Sequence, residues 1–151
     1  DVGQLWSFEV QQAIGFNPIS TLASSIDAEM PTPGTGLSFG RTYTLSIDQR
    51  FTTSVFGFGW SAPWLTHLSV DADGSVNISG AGGSIRRFQP DSRTPNTFFA
   101  LPGDSGILSL VSTGIYAIRE QNGSVIRFNT PGDIDWLRDA NGGTVHQLGH
   151  L

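Results

Sequence analysis

The sequence lacks cysteine and lysine entirely, and each absence excludes a class of site. Without cysteine, neither a disulfide framework nor a thiolate metal site is possible in these 151 residues. All eight basic residues are arginines, so a phosphate-binding loop of the Gly-x-x-x-x-Gly-Lys type is excluded as well. The net charge of -5 argues against a general nucleic-acid-binding surface, because phosphate contacts need clustered positive charge.

Long apolar runs are missing too. No run reaches the ~18 residues of a membrane-spanning helix, and no basic segment followed by an apolar stretch opens the chain, so no membrane span is predicted. The chain begins with Asp1 rather than Met, which suggests a processed product or a piece of a longer protein. The length fits about one domain that buries a real core.

Short strands and glycine turns fill the chain from residue 65 onward. Asp-Gly and Asn-Gly pairs favour the positive φ that tight hairpin turns require, and turns recur about every ten residues. No helical pattern separates the strands, which excludes parallel βαβ units. The fold class predicted is all-β, an antiparallel hairpin meander with little helix. The strands are predicted over residues 65–70, 75–79, 84–89, 96–101, 107–111, 115–119, 124–129, 133–138 and 144–148.

One hairpin pattern occurs twice, forty residues apart, at 82–88 and 122–128. An internal repeat is weighed early because it can decide the fold. The two copies are interpreted as hairpins of one meander, with the shared Arg and Phe packing along a sheet edge. The shared positions are Gly83 and Gly123, Ser84 and Ser124, Arg87 and Arg127, and Phe88 and Phe128.

Alternation breaks down in the returning strand of each copy. Ile85 and Phe88 fall on opposite faces of a regular strand, and so do Val125 and Phe128. The sequence therefore predicts either a bulge in each returning strand or a sheet covered on both faces.

The first thirty residues leave two structures open. Alternating Trp6, Phe8 and Val10 indicate a strand. Ile19, Leu22, Ile26 and Met30 are spaced by three and four residues, which is typical of one helix face, although the β-rich remainder favours a strand. Residues 1–32 are treated as an N-terminal extension, either strand or short helix.

Aromatic and small residues alternate over residues 55–64. Trp60 and Trp64 have two interpretations: a packed aromatic corner at the end of a sheet, or a stacking platform for a sugar ring. Trp136 is a third candidate for glycan stacking. Glycines beside them allow the backbone to approach a ring face.

Acidic and histidine pairs suggest metal sites only weakly. Asp71 and Asp73 resemble the start of a calcium loop, but Gly82 stands where such a loop needs glutamate, so a hairpin turn is favoured. Asp133 and Asp135 share a strand face without a third ligand. His146 and His150 stand four apart, as helical zinc ligands do, but in a predicted strand end.

Ser105 lies in a Gly-Asp-Ser-Gly sequence that is superficially like a protease nucleophile motif. A hydrolase also needs a histidine base and an acid held by the fold, and only three histidines exist. His67 is interpreted as a strand residue. The sequence thus predicts no enzyme, no catalytic residue, no cofactor and no metal.

Several motifs together resemble RHS/YD-repeat proteins. Residues 33–43, with Arg41 and Tyr43, resemble the opening motif of that family, and residues 56–60 resemble the Gly-x-Gly-Trp element that follows. That element supplies Gly57, Gly59 and Trp60. The hairpins at 82–88, 122–128 and 134–143 resemble those leading into the repeats. The resemblance runs in continuous order over residues 33–148, within a domain placed at 33–151.

The resemblance implies a bacterial protein that is secreted or on the cell surface, whose β-repeats coil into a shell. Because this chain carries no Tyr-Asp pair, it resembles the segment before the repeat array. The expected function is a non-catalytic structural scaffold whose partners are the rest of a parent protein or identical subunits. Edge strands could then pair copies into a filament. The alternative is a carbohydrate-binding or adhesion module that contacts surface polysaccharide through exposed tryptophans.

Overall fold

The computed structural model describes residues 21–31, 37–45 and 47–146, which consist almost wholly of antiparallel strands. This confirms the predicted all-β class. Short 3-10 turns cover Asp48–Phe51, Pro63–Leu65 and Ala81–Gly83. The strands are β1 (Thr21–Met30), β2 (Leu37–Thr44), β3 (Thr53–Ser54), β4 (Gly57–Phe58), β5 (Trp60–Ser61), β6 (His67–Val70), β7 (Val76–Ser79), β8 (Ile85–Pro90), β9 (Phe98–Ala100), β10 (Ile107–Ser112), β11 (Ile115–Arg119), β12 (Val125–Phe128), β13 (Ile134–Arg138) and β14 (Thr144–His146).

Strands β6 to β14 match the nine predicted strands, because the sequence marks the turns between them with glycine-containing pairs. Gly74, Gly123 and Gly142 each follow Asp or Asn and adopt φ of 81°, 87° and 92°. A side chain disfavours that conformation, so these glycines fix where each hairpin reverses.

Residues 21–30 form a strand, so of the two structures left open for the N-terminal extension, the strand and not the helix is found there. Strand β1 pairs antiparallel with β2, and β2 pairs with the short β5, giving a three-stranded sheet. The register of β1 shifts at Leu22 and again at Asp27, which marks two bulges. The spacing of four residues from Leu22 to Ile26 is also a multiple of the strand period of two, so it suits one face of a strand as well as one face of a helix. The strand predicted at Trp6 to Val10 lies outside the described residues.

Two larger sheets share one core. Strands β6 to β9 form a four-stranded sheet and β10 to β14 a five-stranded sheet, each in sequential order. Their inner faces bury one apolar cluster, which removes its side chains from water and supplies the main driving force for folding. Six of its members stand ten or twenty residues apart in sequence. The cluster contains Leu68, Val76, Ile78, Phe88, Leu108, Ile118, Phe128 and Ile134.

The two sheets are joined at both ends. At one end Thr97 bridges to Ser109, linking β9 to β10. At the other end His67 bridges to Asp133, and the Leu68 N–H donates to the Gly132 carbonyl at 2.7 Å, linking β6 to the start of β13. The strand order β6 to β13 therefore closes into a ring around the core.

The returning strands of the repeated hairpins, β8 and β12, each lie between two neighbouring strands and not at a sheet edge. The predicted packing of the shared Phe along a sheet edge is therefore wrong. Phe88 and Phe128 are fully buried in strands β8 and β12, each paired on both sides. Strand β8 keeps a regular register with β7 and β9, and β12 keeps one with β11, so the bulge predicted in each returning strand is not found in these pairings. The pairing of β12 with β13 does shift register between Arg127 and Phe128, and the extra residue is Asp135 on β13. Ile85 simply points outward, where it is 66% exposed.

Candidate functional site

Trp60, Tyr43 and Arg41 form an aromatic corner, called the Trp60 corner below. It connects the three-stranded sheet to the four-stranded one. Strand β5 pairs Trp60 with Tyr43 of β2, and the two rings meet edge to face at 5.3 Å. The Arg41 guanidinium lies over the indole at 5.0 Å from its centroid. Edge-to-face rings and cation–π contacts are both stabilising arrangements of aromatic side chains. Packing therefore occupies part of the Trp60 surface.

Gly59 is required by this packing. It adopts φ of 71°, and a Cβ there would lie 2.7 Å from the Tyr43 ring. The expectation that a glycine lets the backbone approach a ring face is confirmed at Gly59. Gly57 also has a positive φ, of 97°, but a Cβ there would meet open space. Gly57 therefore serves the turn between β3 and β4 and not a close approach.

The corner is fastened to the first repeated hairpin by hydrogen bonds around Gly82. The Thr44 hydroxyl donates to the Gly82 carbonyl at 3.1 Å, and the Gly82 N–H donates to the Ser61 Oγ at 2.7 Å. Thr44 is buried, and a buried hydroxyl needs such a partner. Between the two sheets this leaves a pocket of about 220 Å³ lined by Trp60, Ser61, Gln49 and Ile85 among others.

The three candidate tryptophans do not form one platform. Trp60 lines the pocket, whereas Trp64 stands in the 3-10 turn Pro63–Leu65 and does not line it. Trp136 lies in β13 on the five-stranded sheet, where the Arg138 guanidinium sits 4.8 Å from its ring centroid. All three indoles are partly buried. The structure thus separates the side chains that the glycan interpretation had grouped.

The shared arginines of the repeat point outward and pair with aspartates. Arg87 contacts Asp71 at 3.1 Å and Asp73 at 3.2 Å. Arg127 contacts Asp135 at 3.5 Å. Where the sequence resembles a calcium loop, the guanidinium thus sits between the two carboxylates, while Asp73 also accepts from the Ser75 N–H, which lowers the Asp73 pKa. The turn is a hairpin held by an ion pair.

Arg86 is the residue that the sequence interpretation missed. Two residues before Phe88 on the same strand, it shares the inward face of β8 and lies opposite Ile78. Its counterpart in the second copy is Ile126. The spacing of two residues between Arg86 and Phe88 indicates that both share one face of a strand. The repeat instead aligned Arg87 with Arg127.

Arg86 makes two bidentate ion pairs that join separate parts of the ring. Its Nε and Nη2 donate to Asp104 at 2.7 Å each, and its Nη1 and Nη2 donate to Glu120 at 2.5 and 3.1 Å. Asp104 belongs to the connection between β9 and β10, and Glu120 follows β11. The hydrogen bonds from Arg86 hold the pKa of Asp104 below its usual value, and the same bonds raise the pKa of Arg86. Gly106 leaves room for the guanidinium, because a Cβ there would overlap Nη2.

The remaining candidates are held by ordinary structural contacts. His67 Nδ1 lies 3.1 Å from Asp133 at the junction of the two sheets. The Ser105 hydroxyl donates to the Gln121 side chain at 3.3 Å, an amide rather than a base. In the described ranges no group of three His, Asp or Glu side chains is placed to hold a metal. His150 lies outside those ranges.

Strand β1 forms a ten-residue sheet edge, which is a further candidate for interaction with another chain. Within the part of the chain that the structure describes, β1 pairs only with β2 and leaves its other side without a strand. Leu22 and Ile26 on this strand are 57% and 71% exposed. An open edge presents backbone N–H and C=O groups to any strand that can pair with it.

Comparison with protein families gives one similarity. Residues 20–88 match the model of a family described as Domain of unknown function (DUF6531). The match begins next to β1 and ends at Phe88, so it takes in the Trp60 corner and the first copy of the repeat. The second copy lies beyond it. Searches of the curated proteins and of the solved structures found no match. Across the described residues, no helix is long and apolar enough to cross a membrane.

Proposed function

We propose that the chain is a non-catalytic structural domain of the RHS/YD-repeat type, bacterial and exposed outside the cell, whose β1 edge pairs with another strand. That strand comes either from the remainder of a parent protein or from an identical subunit. The observation that carries the proposal is the length and exposure of β1. Among the residues that the structure describes, the ten residues of β1 are paired on one side only, with Leu22 and Ile26 facing solvent.

The closed ring strengthens the argument for β1. Natural proteins protect sheet edges by closure, by short edge strands or by charge. Strands β6 and β9 are protected because they are bridged to the five-stranded sheet. Strand β14 is short, at three residues. Within the described residues, strand β1 is neither closed nor short, and its protections are the two bulges at Leu22 and Asp27 and the charges of Asp27 and Glu29, of which Asp27 is neutralised by Arg41 at 2.9 Å. It is therefore the site where pairing is most favourable.

Contacts inside the molecule support a scaffold rather than a catalyst. The cluster at Arg86 joins three segments, and its guanidinium is held in two bidentate pairs with Asp104 and Glu120. The repeated arginines are also paired with carboxylates. These arginines and carboxylates hold the sheets in place, and they form their hydrogen bonds with one another.

Sedimentation velocity of the isolated chain over a wide concentration range tests the pairing, with electron microscopy of the same samples. We expect association that grows with concentration, and filaments if the contact is head to tail and does not close. A monomer at every concentration would overturn self-assembly. Pairing with a parent protein is tested by adding a peptide of the adjoining sequence and measuring hydrogen exchange in β1. Unchanged exchange would contradict it.

The second candidate function is binding of a neutral sugar at the Trp60 pocket, and the pocket itself favours it. A volume of about 220 Å³ with an indole, several hydroxyls and the Gln49 amide in its wall suits one sugar ring better than an extended chain. Replacing Trp60 by alanine should abolish retention on a neutral glycan column while Trp64→Ala leaves retention unchanged. If Trp60→Ala unfolds the protein, the tryptophan is a packing residue and this candidate fails.

A further inference from the structure

The outer face of the five-stranded sheet carries three of the eight arginines. Strand pairing aligns Arg119 of β11, Val125 of β12 and Arg138 of β13 in one row across the sheet. The next row aligns Arg127 with Trp136. The residues next to them along each strand point to the opposite face of the sheet. Ile118, beside Arg119, is one of these and lies in the core. We call the surface formed by these five residues the basic face.

The charges on the basic face are not balanced. Asp135, 3.5 Å from Arg127, is the carboxylate paired there. Within the described ranges, neither Arg119 nor Arg138 contacts a carboxylate; Arg138 instead donates to the Thr144 hydroxyl at 3.2 Å. The rest of the chain holds twelve acidic residues and five arginines. The basic face is therefore a positive region on an acidic molecule, and its complement is an anion.

The spacing of the arginines indicates which kind of anion would fit the basic face. Arg119 and Arg138 are separated by one intervening strand, so their backbones are ~10 Å apart, twice the strand spacing. Between them lies the apolar Val125, and beside them the Trp136 indole, one face of which is covered by the Arg138 guanidinium at 4.8 Å from the ring centroid. A guanidinium binds a carboxylate bidentately, and an indole or aliphatic side chain packs against the C–H face of a sugar. This alternation suits carboxylates spaced along a chain of sugar rings.

We propose that the basic face binds an acidic polysaccharide, a polymer whose sugars carry carboxylates. The denser charge of a nucleic acid is disfavoured, because the remaining surface of the chain is strongly negative and repels it. This inference concerns a different site and a different ligand class from the Trp60 pocket, and it does not depend on pairing through β1.

The test is titration of the full chain with polygalacturonate at low salt, with neutral dextran and single-stranded DNA as comparison ligands. The variant Arg119→Gln/Arg138→Gln removes the two arginines that pair with no carboxylate. The matched control is Arg93→Gln, because Arg93 is equally cationic but lies beside the four-stranded sheet and is 75% exposed. Thermal unfolding of each variant checks that the fold is kept.

We expect the chain to bind polygalacturonate and the double variant to bind it about tenfold or more weakly, while Arg93→Gln binds as the unaltered chain does. Added salt should weaken binding, since the contacts are exposed. Three results would overturn the proposal: no binding at low salt, equal binding of dextran, or equal loss in the control variant. Tighter binding of DNA that depends on the same two arginines would also overturn it, by making the face a nucleic-acid surface.

Discussion

Replacing Arg86 by isoleucine should destabilise the protein by about 2–3 kcal/mol at neutral pH. The change removes the cation from Asp104 and Glu120 and leaves two carboxylates facing each other. Breaking a buried ion pair costs about 3–5 kcal/mol, and solvent screening lowers that figure here because the three side chains remain 20% to 29% exposed. Isoleucine is the natural choice of replacement, because Ile126 occupies the same position in the second copy.

The loss should depend on pH in a definite direction. Arg86 holds the pKa of Asp104 below its usual value, so the pair stabilises the fold above the unfolded pKa of ~3.9 and stops doing so as pH falls through the lower folded value. In the variant, protonation of Asp104 in acid removes its repulsion of Glu120. The difference between the two proteins should therefore be largest near pH 7 and shrink below about pH 4.

Urea unfolding followed by tryptophan fluorescence at pH 7 and at pH 3 measures both effects. Arg93→Met is the control, because the Arg93 side chain is 75% exposed while its partner Asp91 is 12% exposed, and its loss should shift the midpoint much less than Arg86→Ile does. The triple change Arg86→Ile, Asp104→Asn, Glu120→Gln should regain most of the lost stability. Equal midpoints for Arg86→Ile and the unaltered chain at pH 7, or a gap that persists at pH 3, would refute the reasoning.

Two further predictions concern the ring and its core. Gly132→Ala should cost about 3 kcal/mol or more, because Gly132 has φ of 98° and a Cβ would overlap the Leu68 carbonyl, whereas Gly142→Ala, with φ of 92° and open space around it, should cost only about 1–2 kcal/mol. Phe88→Ala and Phe128→Ala should each cost about 3–5 kcal/mol, because both rings are fully buried. Urea unfolding checks both; similar costs for the two glycines, or a cost below about 1 kcal/mol for either Phe, would contradict the assigned core.

The hairpins were predictable from sequence because their signals are local. An Asp-Gly or Asn-Gly pair sets the sign of φ within two residues, and flanking alternation marks the strands. The turns at Gly74, Gly123 and Gly142 illustrate this. Strand β1 was harder, because a spacing of four residues, as between Leu22 and Ile26, fits one face of a strand and also one face of a helix. A local pattern cannot separate a bulged strand from a helix when the partner strand is unknown.

The closure of the ring could not be predicted, because it depends on pairings distant in sequence. Nothing local to His67 indicates Asp133, and nothing local to Leu68 indicates Gly132. The Arg86 cluster had the same difficulty: Asp104 and Glu120 lie 18 and 34 residues away. The repeat did indicate two equivalent units, but it did not show that both copies face one core.

The grouping of candidate tryptophans failed for a related reason. Trp60 and Trp64 are close in sequence, yet the 3-10 turn Pro63–Leu65 begins between them, and only Trp60 lines the pocket. Trp136 was grouped with them by residue type alone. Its surroundings depend on the pairing of β12 with β13, which places Arg127 beside it.

The central claim, that the β1 edge is where the domain pairs with another strand, is tested most directly by sedimentation equilibrium of two matched variants. Ile26→Lys places a charge on the open edge, which disfavours pairing. Ile85→Lys places the same charge on β8, a strand already paired on both sides, and the two isoleucines are similarly exposed at 71% and 66%. The account predicts that Ile26→Lys abolishes self-association while Ile85→Lys leaves it unchanged. Equal association of both variants, or loss of association only in Ile85→Lys, would contradict it.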